Sequence, residues 1–439
     1  MEDNTPELLD DVLADAEAAS PPPLTRRDAA LPEMPGKASA VIGMRRVGKS
    51  SLLHARVAAL LARGVPRTRI LHVEFEDERL SGLTDRDLHL LEDAFHRRHP
   101  DSDGQPCWYL FDEIQNVKGW ERFVRRLLGN RNLQLTLTGS SAKLLSTEIA
   151  TSLRGRSLTT ELWPFSFREY VRHHGTDIPT KWPPSSAIRT KLRAAFDGYL
   201  RTGGFPEVQS APMPLWRQIL QGYVDVVILR DVAERHSLGN VPLLRALVRR
   251  LLRSVSRQTS INGMVKDLRS QGFTFGKDAI YELFEHLQDA FLIATLPLAS
   301  LSEKRQQVNP RKLYVADHGL AAACAPMRAE DQGNHLENIV FLELHRRGGL
   351  TGYHTTATGR EVDFVVQRPD GKVTLVQVCA SMAAAATRER ELDALAEAFA
   401  ETKATDGLIL TLDDQGQESI ADRKVRITSA WRWLLQPPA

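Results

Sequence analysis

Gly43, Gly48, Lys49 and Ser50 fall in the order Gly-x-x-x-x-Gly-Lys-Ser within "VIGMRRVGKSSLL". Two glycines at this spacing let a loop turn tightly and point successive backbone N–H groups at an anion. Lys49 brings an ammonium to β- and γ-phosphates, and Ser50 offers a hydroxyl to Mg²⁺. Arg45, Arg46 and Val47 lie inside the loop and Ser51 directly follows it, so all four belong to the same phosphate cradle. Further along, "CWYLFDEIQ" ends an apolar run on Asp112 and Glu113. Acids at the carboxyl end of a buried strand stand where such sheets bind ligands. Asp112 is suited to the Mg²⁺ shell, and Glu113 to orienting or deprotonating the attacking water. Either motif alone has a bland reading, a chance match or two solvated acids. Together and in this order they point to ATP and Mg²⁺ as cofactors and to hydrolysis as the chemistry.

Two further groups extend the site. "LQLTLTGSSAKLLS" places Thr138, Ser140 and Ser141 at another strand end. Their hydroxyls suit the γ-phosphate or the lytic water, and Ser140 or Ser141 would equally serve as a helix N-cap. "TSLRGRS" carries Arg154 and Arg156. Delivered across a subunit contact, a guanidinium there stabilises transition-state charge; ordinary surface pairing is the alternative.

Positioning these groups requires a particular set of elements. Short apolar strands "ASAVIGM", "RILHVEFE", "CWYLFDEI" and "LQLTLTGSS" alternate with amphipathic helices. Such alternation predicts a parallel sheet covered on both faces, an α/β P-loop domain over residues 37–184. Before it, residues 1–36 are acidic, then proline-punctuated, and read as a peripheral arm. Residues 185–330 are mostly helical, and residues 331–439 return to an α/β pattern. The 439 residues include 42% hydrophobic and 26% charged side chains with a net charge of +2, which suits several globular domains and neither demands nor excludes nucleic acid. Cys107, Cys324 and Cys379 show no paired metal spacing, and no apolar run reaches the roughly 20 residues of a membrane helix. The acidic start is unlike a signal peptide. The expectation is a cytoplasmic protein with no membrane partner.

The blocks "GMRRVGKSSLL", "YLFDEIQNVKGWERFVRRL", "TLTGSSAKLLSTEIATSLRGRS" and "LWPFSFREY" together resemble a group of bacterial and archaeal AAA-type ATPases whose C-terminal region is of poorly assigned function. The resemblance spans about 38 to 435. It implies an AAA+-like domain and a homo-oligomer with ATP bound between protomers; a ring or partial ring is expected, with a hexamer as one form.

Within the middle region, "TSINGMVKDLRSQGFTFGKDAIYELFEHLQDAFLIATLPL" has the rhythm of a helix–turn–helix followed by a wing. Thr259 or Ser260 would cap the first helix, and Gly272 would end it. Resemblance to winged-helix domains implies DNA contact through Lys277, Lys304, Arg305, Arg311 and Lys312. Against it, the second helix bears Asp278, Glu282 and Glu285, which suits protein packing better than phosphates. The last region, helix, three strands, helix, strand, resembles a restriction-endonuclease-like core. Glu337 and Asp363 fit its first two acidic positions. Gln377 and Cys379 stand where a carboxylate and a lysine belong, so the site reads as degenerate.

These features predict an ATP-hydrolysing motor that remodels or translocates on duplex or branched DNA, including Holliday-junction branch migration. A nucleotide-switched signalling or scaffold ATPase is the alternative. An ATP-gated metal-dependent nuclease is the weakest reading.

Overall fold

The structure is a computed structural model and describes residues 5–19, 24–139, 155–300, 302, 306, 310–325, 331–420 and 422–437. The chain divides into two compact units, residues 1–163 with 289–291, and residues 164–288 with 292–439.

In the first unit, strands β1 (Ala38–Ile42), β2 (Ile70–Glu74), β3 (Cys107–Asp112), β4 (Leu133–Gly139) and β5 (Ser157–Glu161) form one sheet in the order β2-β3-β4-β1-β5. All neighbours run parallel, with Val41 opposite Thr138 and Glu74 opposite Asp112. Parallel pairing brings every strand's carboxyl end to one edge, so the loop after β1 and the acids ending β3 share it. The central strands are buried on both faces, as their continuous apolar runs require. Helix α2 (Lys49–Ala62) follows the glycine loop and seats Leu53, Val57 and Leu60 on Ile70 and Leu110. Each such side chain stabilises the unit by about 1.5–3 kcal/mol. Helices α3 (Leu88–Arg98) and α4 (Trp120–Leu127) complete the layers.

The amino-terminal segment departs from the expected peripheral arm. Its helix α1 (Thr5–Ala18) packs against α3 and β2. Leu9, Val12 and Leu13, at helical spacing, are at most 5% exposed. An acidic outer face masks this apolar stripe in the sequence. Strand β5 was also unexpected: "SLTTE" is a half-exposed edge strand with little apolar signal.

The second unit begins with helices α5 (Phe167–His173), α6 (Ser186–Thr202) and α7 (Met213–Val226), the last running into a π-helical stretch, Val227–Glu234. Next come α8 (Val241–Leu252), β6 (Gln258–Thr259), α9 (Ile261–Ser270), α10 (Lys277–Asp289), β7 (Ile293–Leu296) and β8 (Arg311–Val315). The three strands form an antiparallel sheet, β6-β8-β7, and with α9 and α10 between β6 and β7 in the chain the element order is that expected of a helix–turn–helix followed by wing strands. Ser260 caps α9, accepting from Gly263 N at 3.1 Å, and Gly272 follows its end at φ +90°.

After α11 (His318–Cys324), the chain forms α12 (Asp331–Arg347), β9 (Leu350–Thr355), β10 (Glu361–Gln367), β11 (Val373–Val378), α13 (Ala385–Glu401) and β12 (Ala404–Thr411). Beyond the expected elements lie β13 (Gly416–Ile420), β14 (Arg423–Ser429) and α14 (Ala430–Leu435). The six strands make a mixed sheet, β13-β14-β12-β11-β10-β9. No helix of the described residues is long and apolar enough to cross a membrane.

Candidate functional site: a phosphate loop facing paired acids

The loop between β1 and α2 needs glycine for a stated reason. At Gly43 (φ +156°) an added Cβ would fall 2.2 Å from the carbonyl oxygen of Leu162. Gly48 opens α2 at φ +94°, and Arg46 also lies in the left-handed region, at φ +66°. Arg27 braces the loop from the amino-terminal segment, donating to the carbonyls of Val47 at 2.7 Å and Trp163 at 2.5 Å. Val47 is buried, Arg45 pairs with Glu76 at 3.2 Å, and Ser50 and Ser51 are exposed.

Lys49 is 5% exposed, and its ammonium donates to the carbonyls of Gly43 at 3.2 Å and Met44 at 3.3 Å. It also pairs with Glu113 Oε1 at 3.2 Å. Asp112 accepts from the hydroxyls of Ser50 and Thr138. The same Thr138 oxygen accepts from Glu113 N at 2.9 Å. Thr138 therefore acts on the two acids, holding one carboxylate and the backbone of the next. Burial raises both acids, and their neighbours set them apart. It raises the Asp112 carboxyl against the pull of its hydroxyl donors. At Glu113 burial pushes the same way, but the Lys49 charge and the Gln115 amide outweigh it and hold the carboxyl below its usual range. Glu113 itself sits at φ +51°, a sparsely populated conformation for a non-glycine residue.

Ser140 and Arg154 lie outside the described residues. Arg156 is exposed just before β5, where its carbonyl accepts from Ala38 N at 2.9 Å. Arg27 was missed in the sequence; its distance from the loop leaves no local signal.

The second unit holds another charged cluster and one correction. Lys312, expected on a DNA-facing wing, is fully buried on β8. Its ammonium lies 2.6 Å from Glu337, 2.7 Å from Glu361 and 2.9 Å from Asp363. The physical reason is that β8 is buried on both faces from Lys312 onward, and that three carboxylates gathered there pair with its ammonium. Burial pushes Glu337 up to about 8 and Asp363 up to about 6, against the pull of Lys312. Gln377 donates to Glu391 at 2.5 Å and accepts from Asp363 N at 3.2 Å. Cys379 is buried, which pushes its thiol to about 12. The positive charge in this cluster is that of Lys312, from a different strand, and it pairs with the three carboxylates. Glu361 was legible in principle, two residues before Asp363 and so on the same strand face. Lys277 is exposed at the start of α10, 5.8 Å over the Tyr281 ring, and Arg311 is exposed on β8. Lys304 and Arg305 lie outside the described residues.

Comparison with known proteins agrees with the P-loop geometry. Residues 35–171 match the AAA domain family, and residues 193–331 and 332–432 match two domains of unknown function, DUF8612 and DUF4143. An uncharacterized protein of Methanocaldococcus jannaschii is 31% identical over 98% of this chain and 95% of its own length. One from Haemophilus influenzae is 30% identical over 77% of this chain and 81% of its own length. Among solved structures, the Aeropyrum pernix ORC1 protein in complex with DNA aligns with 73% of this chain and 91% of its own. That match has 14% identity and a TM-score of 0.26, too low to carry an argument. On the end-to-end likeness to the archaeal protein, together with the matched AAA domain, the chain belongs to a family of AAA+-like P-loop ATPases, found in archaea and bacteria, that carry a C-terminal domain of unknown function.

Proposed function

We propose that the chain binds and hydrolyses ATP at the loop of residues 43–51 and uses the cycle to remodel or translocate on duplex or branched DNA as a homo-oligomer. The observation that carries the ATPase half is the convergence of Lys49, Glu113, Asp112 and Thr138 within hydrogen-bonding reach at one sheet edge. The residues fit a magnesium–nucleotide: the close approach at Gly43 keeps the loop tight around an anion, and the Ser50 hydroxyl already meets the Asp112 carboxylate. Ser50 and Asp112 would hold the ion. Bound magnesium supplies Lewis-acid neutralisation of the phosphate oxygens.

Lys49 and Glu113 then form a relay. Arrival of a triphosphate sets its oxygens in competition with Glu113 for one ammonium. Once Lys49 turns to phosphate, its hold on the Glu113 carboxylate weakens, and that carboxylate can accept a proton from water. Glu113, held in the charged form, is the base; Asp112 is the ion's ligand.

The DNA half rests on the helix–turn–helix with its wing and on the exposed Lys277, Arg311, Arg249 and Arg253 nearby in sequence or fold. Burial of Lys312 and the exposed acids Asp278, Glu282 and Glu285 on α10 favour a second reading, a nucleotide-switched scaffold engaging protein partners. Neutralisation of Glu337 and Asp363 by Lys312 weighs against the nuclease reading. The test is ATP turnover with single-stranded, duplex and four-way-junction DNA at two salt concentrations, with particle mass measured with and without ATP. The motor reading expects stimulation by at least one DNA form that weakens with salt, and growth of the particle with ATP. Turnover indifferent to every DNA form, with tightly retained nucleotide, would leave the scaffold.

A further inference from the structure

A second group of ligand-type side chains lies in the first unit, next to the acids of the phosphate site, since Glu74 stands opposite Asp112 across the sheet. His72 and Glu74 alternate along β2 and so share one face of the sheet. His54 reaches them from α2. Its Nε2 is 3.1 Å from Glu74 Oε1, and its ring meets that of His72 edge-on with centroids 4.9 Å apart. One donor atom from each of the three side chains lies within 4.8 Å of the others.

Packing alone accounts for part of this. The pairing of His54 with Glu74 satisfies both partners as an ordinary, half-exposed contact. It does nothing for His72, which is 6% exposed and whose Nε2 has no hydrogen-bond partner among the described residues. A buried polar nitrogen left unpaired costs about 1–3 kcal/mol. The side chain nevertheless points into the space between α2 and β2, where a cavity of ≈ 680 Å³ opens, lined also by Asp15, Arg67 and Asp77.

We propose that His54, His72 and Glu74 bind a divalent transition-metal ion of the zinc class, at a site separate from the magnesium carried with the nucleotide. Two imidazoles and one carboxylate are a donor set for Zn²⁺, Co²⁺ or Ni²⁺ and a poor one for Mg²⁺, which prefers oxygen. A tetrahedral zinc at ligand distances of about 2.0–2.1 Å needs donors roughly 3.3 Å apart. The His54–Glu74 separation is already close to that, and the His72 donor atom lies within 4.8 Å of the other two. Three protein ligands leave the fourth position facing the cavity, open to water or a small anion.

The experiment is a titration of the full chain, chelator-treated and free of nucleotide, with Co²⁺ followed by its visible absorption, then displacement by Zn²⁺. One equivalent of Co²⁺ is expected, with Zn²⁺ displacing it. Glu74→Gln and His54→Gln, both at partly exposed positions that leave the interior packed, should weaken Co²⁺ binding at least tenfold. His72→Ala should weaken it further, and circular dichroism reports whether that variant still folds. If the wild type takes up no Co²⁺ at sub-millimolar concentration, or Glu74→Gln and His54→Gln bind it undiminished, the site does not exist.

Discussion

One ammonium group at Lys49 has two claimants. In the structure it answers to Glu113 and to two loop carbonyls; a polyphosphate would claim it through the same loop. Replacing Glu113 by glutamine keeps the size and the hydrogen-bonding reach, but removes both the charge that competes for Lys49 and the base that takes the water's proton. ATP affinity should therefore hold or rise, while turnover falls by about 10²–10⁴, the usual worth of a positioned general base. Lys49→Ala should do the reverse and lose nucleotide affinity. Fluorescent-nucleotide titration and single-turnover hydrolysis read the two quantities separately. Wild-type turnover in Glu113→Gln would remove that residue from the chemistry. Much of this site was legible from spacing alone, because the loop and the strand-end acids are each contiguous in sequence. What spacing did not reveal is that Thr138 serves the acids directly, a relation fixed by β4 lying between β3 and β1.

Strand β8 shows what a pattern of charges cannot convey. "RKLYVAD" offers two adjacent basic residues; Arg311 begins the strand exposed, while β8 is buried on both faces from Lys312 onward. From sequence both look like a wing; only the acids arriving from α12 and β10 decide which one is buried. Removing the buried cation leaves Glu337, Glu361 and Asp363 without compensation. Lys312→Met, close in volume, should destabilise the second unit by about 3–5 kcal/mol in urea denaturation. A quadruple variant that also carries Glu337→Gln, Glu361→Gln and Asp363→Asn should recover most of the loss. A loss under about 1 kcal/mol for Lys312→Met would mean that the cluster protonates or hydrates at little cost. The same logic of distance explains the other gaps. The helix–turn–helix was readable because Ser260 and Gly272 mark one helix locally. The β13–β14 pair was not, since "GQESI" and "RKVRITS" carry apolar residues only at scattered positions.

Over the whole second unit, stability is tied to pH through groups sealed in its interior. His318 is fully buried at the start of α11, where its Nε2 lies 2.8 Å from the Tyr199 carbonyl of α6. His335, on α12, has its ring 5.9 Å away. Burial pushes both down to about 4, below the 6.5 of an unfolded histidine. Their neutral forms thus contribute stability that is complete above pH 6.5 and is lost as pH falls toward 4. Asp317, beside them, has the opposite sign. Burial pushes it up to about 7, although Gly204 N and Gly319 N donate to it, so its contribution is greatest in acid and is lost as pH rises through 7. The two histidines and the aspartate therefore pull in opposite directions between pH 7 and 4, and wild-type stability alone cannot separate them. His318→Gln can, because the amide keeps a donor toward Tyr199 and cannot titrate. Between pH 7 and 4.5 this variant should lose about 2 kcal/mol less than the wild type, the linkage expected of a single site with these two pKa values. The unfolding transition of the second unit, followed in urea at pH steps across that interval, measures the difference. Parallel curves for the two proteins would show that His318 reaches water, or a partner for its charge, when acid is added, and that this part of the interior is not sealed.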